Sequence, residues 1–348
     1  MIKNKKAAQI VRVLLLVGTL ISLYFVPWPI LKAWIKPLPD TVQQQVDATV
    51  KMGFEGIIVY VDEGEKEPAF YAAGYKNSET QTPADPHALF KIASVSKLYV
   101  ALAITKLEYN GSLSIDQSLA HYLPELDGRI DNAKEITLRM MVQHRSGIPN
   151  FTDTPNFWAD PPDSSQGALE LVFDMPANFE PGKGYEYSNT NYLLLSNIMD
   201  KVLGYNHFQF IKEEILMPLN LNQTYGSIHD VNIDEVMSGY YVGYDADLKT
   251  EDQGSMLATA EDLGKFIRAL NNGSVFKNKD EQEVYSSIYV YGHTGLIPGY
   301  QTIAKYHEDI DAVVIQFTNT VNFSGYNWNL SEVGYNRILK ILRKNKSS

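Results

Sequence analysis

The chain has 348 residues, 45% of them hydrophobic and 20% charged, a balance that fits an ordinary globular protein of one large domain or two joined subdomains. Residues 1–36 hold six Lys or Arg and no acid, so the remainder carries 24 basic against 41 acidic residues, a formal charge of −17 that excludes a basic surface for nucleic acid. No cysteine is present, which rules out disulfides, thiolate metal sites and a cysteine nucleophile.

Lys3, Lys5, Lys6 and Arg12 precede an uncharged run of 19 residues, Val13 to Leu31, broken near its end by Pro27 and Pro29. A basic flank before an apolar run reads as a signal peptide or an uncleaved anchor, since a core helix would show a polar face. Cleavage needs small residues at −3 and −1; Val26-Pro27-Trp28-Pro29 offers none and Leu31-Lys32-Ala33 is a poor substitute. Residues 1–36 are therefore expected to be a cytoplasmic flank and membrane anchor, and 37–348 an extracytoplasmic folded body. Four basic residues before the span set that orientation, and Trp28 and Trp34 suit the interface. The alternative is a secreted or periplasmic body after cleavage.

Beyond Pro37 the patterns predict a helix over Thr41–Met52 and two strands, Gly56–Val61 and Ala69–Tyr75, joined by the turn Asp62-Glu63-Gly64-Glu65. Ser94–Tyr109 is apolar on most sides and stops at Asn110-Gly111, which predicts a buried helix. Helical patterns follow over Thr137–His144, Thr190–Leu203 and Ala260–Leu270. Strand patterns return over Ser287–Tyr291, Tyr300–Tyr306 and Ala312–Thr318, before an amphipathic helix from Leu330 to Arg343. Strands at both ends with helices between them predict an α+β fold. Its sheet subdomain takes in about 40–90 and 285–345, with a mainly helical region inserted.

Three clusters carry candidate chemistry. Ser94-Val95-Ser96-Lys97 puts a hydroxyl and an amine on one face of a helix start, where free N–H groups stabilise an oxyanion. Lys97 could act as base for Ser94 if its surroundings lower its pKa. Alone, the pattern equally fits a capping serine and a solvated lysine, and Ser274-Val275-Phe276-Lys277 repeats the spacing in an expected surface loop. Tyr187-Ser188-Asn189 precedes a core helix; a phenol beside an ammonium loses its proton more easily, and Asn189 could orient the lysine and a substrate carbonyl. Tyr75-Lys76-Asn77 shows that such a triplet also arises without a role. Gly292-His293-Thr294-Gly295, at the end of the strand-like run through Tyr291, offers close backbone approach and two donors for an anionic group.

Together these motifs resemble the serine β-lactamase and penicillin-binding protein superfamily, in the branch of class C β-lactamases, D-alanyl-D-alanine carboxypeptidases and family VIII esterases. Phe90-Lys91-Ile92-Ala93, Gln143-His144-Arg145-Ser146-Gly147-Ile148-Pro149, Pro181-Gly182 and Ala258-Thr259-Ala260-Glu261-Asp262-Leu263 extend the likeness over about residues 40–345. The resemblance implies a β-lactamase/transpeptidase-like fold, an antiparallel sheet flanked by helices with an inserted helical region. It implies Ser94 as nucleophile, Lys97 and Tyr187 as proton shuttle, and the N–H groups of Ser94 and Leu296 as oxyanion hole. Asn189, His293, Thr294 and Gly295 would bind substrate, with His293 changing charge near neutrality where β-lactamases of this branch carry lysine. The implied activity is acyl transfer on small-molecule or cell-wall peptide substrates. A D,D-peptidase-like or related cell-envelope hydrolase is expected first, then an esterase or weak β-lactamase, then a catalytically silent penicillin- or peptide-binding protein.

Other chemistries find no support in the sequence. No G-x-S-x-G elbow and no H-E-x-x-H occurs, and Asp245-Ala246-Asp247 lacks the glycine and terminal glutamate of a calcium loop, so neither a metal nor a cofactor is expected. Oligomeric state is not legible.

Overall fold

The computed structural model describes residues 5–64 and 66–346, with side chains from residue 7 onward. Lys3 and Glu65, placed above in the basic flank and in a hairpin turn, lie outside the described residues, as do the side chains of Lys5 and Lys6.

The central strand Gly56–Asp62 pairs on one side with Ala69–Asn77 and on the other with Ala312–Thr318, near the far end of the chain. The six-stranded sheet runs Thr82–Pro83, Ala69–Asn77, Gly56–Asp62, Ala312–Thr318, Tyr300–His307, His293–Ile297, with every pair antiparallel. Period-two alternation splits its side chains between two cores. Ile58, Tyr60, Val313, Ile315 and Phe317 face the helical region, while Ile57, Val59, Val61 and Val314 face the helices Val42–Val50 and Asn327–Lys346. Both faces are covered, so the strand reads as an unbroken apolar run, each buried Ile or Val contributing roughly 1.5–3 kcal/mol.

On the first face lies Ser96–Tyr109, buried all round from Lys97 to Leu107, as a helix without a polar face must be. The helix Ala260–Asn272 crosses the same face at Gly264, where a Cβ would come within 2.2 Å of the Tyr60 ring. Three two-residue strands, Phe90–Lys91, Leu257–Ala258 and Thr224–Tyr225, tie the segment before Ser94 to the chain ahead of this helix.

Two expected elements are corrected. Ser287–Tyr291 is not a strand: Lys279–Ile288 is a helix, capped by Asn278 accepting the Glu281 N–H. Its Tyr285 and Ile288, at helical spacing, are buried, and that packing overrides the β-branched and aromatic residues that follow. The apolar run Val13–Leu31 is not one span either. Lys5–Tyr24 is one helix, and a second, Trp28–Ile35, starts after Pro27 with Pro29 in its first turn, where a missing N–H costs nothing. Ala7–Tyr24 is long and apolar enough to cross a membrane, a property that signal sequences share.

Candidate active site

Ser94 sits in a 3-10 turn, Ala93–Val95, immediately before the helix that begins at Ser96. The turn is reached through Ala93 at φ +50°, a left-handed conformation unusual for a residue with a Cβ. It persists because neighbours hold it. The Ala93 N–H donates to Ser255 Oγ at 2.8 Å, Ser96 Oγ donates to the Ala93 carbonyl at 2.7 Å, and the Met256 N–H donates to Ser96 Oγ at 3.2 Å. Just upstream, buried Lys91 donates to the carbonyls of Leu248 and Glu251 at 2.7 and 2.5 Å, tying that loop to the same segment.

One helical turn on, Lys97 Nζ lies 3.3 Å from Ser94 Oγ and donates to Asn189 Oδ1 at 2.7 Å. The rings of Tyr187 and Tyr192 approach it, with centroids 5.0 and 5.4 Å away. Burial without a carboxylate partner lowers its pKa to about 7, so a large share of the amine is neutral at physiological pH.

The Tyr187 hydroxyl donates to Ser94 Oγ at 2.7 Å. Burial pushes the phenol up to about 12, partly opposed by that hydrogen bond. This corrects the expectation that the neighbouring ammonium would acidify it. The lysine is the group that gives way, since desolvation has already made it close to neutral. Asn189 opens the helix Asn189–Leu203; its N–H donates to Asn150 Oδ1 at 2.9 Å and its Nδ2 to Thr152 Oγ1 at 3.1 Å, which turns Oδ1 toward Lys97.

Sequence reasoning gave no role to Asn150, Thr152 or His144. The His144 ring stacks on Tyr187 at 4.3 Å, and its Nδ1 accepts the Ser188 N–H at 3.2 Å, fixing the tyrosine from behind. Burial, with Lys97 adding to it, lowers His144 to about 3 and keeps it neutral. The only signal was its place in the Gln143–Pro149 stretch.

The third motif lies inside the edge strand His293–Ile297 rather than after a strand. Ile297 and Tyr300 close a two-residue hairpin as its hydrogen-bonded pair, so alternation turns the Leu296 N–H toward the free edge. Gly295 meets the Ser94 turn there: a Cβ on it would lie 2.4 Å from the Ile92 carbonyl and 3.2 Å from the Ser94 N. Gly295→Ala must push strand and turn apart. A drop of about 10²-fold in kcat with an unchanged far-UV CD spectrum is expected, the usual cost of an ångström of misplacement. Thr294 pairs with Ile303, on the opposite face of the strand from His293 and Gly295.

His293 Nδ1–H donates to the Thr294 carbonyl, and the ring stacks on Tyr289 at 5.9 Å. Burial lowers it to about 4 against the opposing backbone hydrogen bond, with Lys97 and Lys305 lowering it further. The expected charge change near neutrality is therefore corrected: the ring is neutral there, with a lone pair on Nε2. The two look-alike patterns build nothing comparable. Ser274 and Lys277 are exposed in a loop, and Asn77 bonds Ser238 from a strand. No cluster of three or more potential metal ligands occurs among the described residues.

A family model described as Beta-lactamase matches residues 38–290, ending just short of the His293 strand. Penicillin-binding protein 4* of Bacillus subtilis (strain 168) is 25% identical over 328 residues, covering 80% of this chain and 69% of that protein. The putative penicillin-binding protein PbpX of the same organism is 26% identical, covering 84% and 76%. Protein flp of Staphylococcus aureus (strain MW2) is 25% identical over 70% of this chain, which spans about half of that relative, 52%. Among solved structures, D-amino acid amidase from Ochrobactrum anthropi SV3, complexed with D-phenylalanine, superposes with a TM-score of 0.77 at 22% identity over 87% of this chain and 98% of that one. A penicillin binding protein from Bacillus halodurans gives 0.70 at 20% identity over 84% and 98%. At such identities the structural likeness establishes the fold.

Proposed function

The chain belongs to the Beta-lactamase family, and from that membership we propose that it is a serine hydrolase cleaving amide or ester bonds through an acyl-enzyme on Ser94. The observation that carries this reading is the joint approach of Lys97 Nζ and the Tyr187 hydroxyl to Ser94 Oγ, at 3.3 and 2.7 Å, beside the rings of Tyr187 and Tyr192. Neutral Lys97 takes the Ser94 proton as Oγ attacks the carbonyl. Tyr187 gives its hydroxyl proton to the leaving group and takes in turn the proton held by the Lys97 ammonium, so that both return to their starting forms. The N–H groups of Ser94 and Leu296 receive the oxyanion, and water then releases the acyl group, returning Ser94 to its free form.

The relatives named as penicillin-binding proteins support a substrate in the cell envelope, of D,D-peptidase type. One observation favours a second reading. A neutral His293 whose Nδ1 is already bonded to backbone offers an acceptor, which suits an N–H donor on the substrate better than a carboxylate. Amides and esters without a carboxylate beside the scissile bond fit this site best. The apolar helix Lys5–Tyr24 behind a basic flank supports anchoring of a catalytic body, 37–348, on the outer side of the membrane.

A hydrolysis panel of p-nitrophenyl esters, amino-acid amides, D-alanyl-D-alanine peptides and nitrocefin tests the substrate class. For the carboxylate-bearing members, any change of KM from pH 5.5 to 8 is expected to follow Lys97, at about 7, and to be the same in His293→Ala, because His293 titrates below that window. His293→Lys should improve their KM about tenfold, the worth of one hydrogen bond to a charged group at ~1.5 kcal/mol. A rise of KM across that window that His293→Ala removes would restore the peptidase reading.

A further inference from the structure

The helix Trp28–Ile35 is welded to the catalytic body on one side and unpartnered on the other. Ala33 is buried and Ile30 packs beside it against Phe54, Leu330 and Val333. Lys340 of the closing helix lies over the Trp34 ring at 5.7 Å, and Arg337 of that helix donates to the carbonyls of Lys36 and Pro37 at 2.8 and 2.6 Å. At 100° per residue, Trp28, Leu31, Lys32 and Ile35 fall on the opposite side from Ile30 and Ala33. That side is bare: Trp28, Leu31 and Ile35 are 42%, 36% and 65% exposed.

The position of this face says what covers it. Only Phe25, Val26 and Pro27 separate the helix from the apolar helix Lys5–Tyr24, a reach of about 11 Å at full extension. The junction is shorter still, because Trp28 Nε1 donates back to the Leu23 carbonyl at 3.0 Å. If the first helix spans the membrane, the second emerges within the headgroup layer. Charge agrees. Lys32 lies on this side, Lys36 caps the end of the helix and Lys340 sits exposed at the rim over Trp34, whereas the chain after residue 36 carries −17 in all. An anionic lipid surface attracts the one and repels the rest within a Debye length of about 8–10 Å, which selects a single orientation.

We propose that the Trp28–Ile35 face, with Lys32, Lys36 and Lys340, lies on the anionic headgroups of the bilayer and holds the catalytic body in a fixed pose rather than on a tether. This rests on the anchor reading above. The absence of cysteine makes it testable in the full chain by single nitroxide labels at Leu16→Cys, Ile35→Cys and the exposed Met217→Cys, in vesicles containing phosphatidylglycerol. The ratio of oxygen to aqueous nickel accessibility at position 35 is expected to be several-fold above that at 217, and to fall toward it in the Lys32→Glu/Lys36→Glu/Lys340→Glu variant. Label 16 in lipid with label 35 as wet as 217 would overturn this inference and leave the anchor intact. Label 16 in water would overturn both. Spin–spin broadening at position 35 would assign the face to a second copy of the chain instead.

Discussion

Ser94→Ala is expected to abolish labelling by a serine-reactive fluorophosphonate and to lower turnover of any substrate by about 10⁴-fold or more, the scale seen when the nucleophile of a concerted catalytic group is removed. The size follows from geometry. Lys97, Tyr187 and Asn189 all converge, directly or through one another, on the Ser94 hydroxyl, and without it they have nothing to activate. Ser274→Ala should label normally, because its lysine partner stands exposed in a loop. Mass spectrometry that finds the adduct on another serine would remove the mechanism.

Lys97→Met is expected to cost about 10²–10⁴-fold in acylation rate, the range for losing a general base. The wild-type pH profile gives the sharper test. The neutral amine is the active form, so kcat/KM for an uncharged ester should rise tenfold per pH unit below about pH 7 and level off above it. His144 and His293, at about 3 and 4, add no limb near neutrality, and Tyr187, at about 12, adds none below pH 9. Lys97→Arg should not rescue, because a guanidinium keeps its proton. An inflection near the ordinary lysine value of about 10 would show that the site does not tune this amine.

The same burial has a consequence for stability. The folded-state pKa of Lys97 lies below its unfolded value, so the unfolded chain binds the extra proton between about pH 7 and 10.5. The cost is complete below pH 7 and vanishes above 10.5. Lys97→Met should therefore lose most of its activity yet melt higher than wild type at pH 6, a combination that a purely structural lysine would not give.

The identities and order of the key residues were legible because they are local. Each pattern alone also fits a structural reading, as Ser274-Val275-Phe276-Lys277 and Tyr75-Lys76-Asn77 show, so Ser94, Lys97, Tyr187, Asn189 and Gly295 stood out through the order of the three motifs and their family resemblance. The sheet closing through Gly56–Asp62 and Ala312–Thr318 followed from where the apolar runs lay in the chain. The Ser287–Tyr291 run was misread because a short β-branched and aromatic stretch, Ile288-Tyr289-Val290-Tyr291, has the same appearance in a strand and at a helix exit. Burial of Tyr285 settled it.

By itself, then, the sequence determined the chemical groups and the fold class, which depend on residue type and periodicity. Tertiary structure alone decided their protonation. The Lys97 amine is stripped toward neutrality, Tyr187 is kept protonated and His293 is kept uncharged by desolvation, and the Tyr192 ring packed against Lys97 comes from a distant part of the chain. Desolvation is a property of the packed surroundings, and no spacing along the chain encodes it.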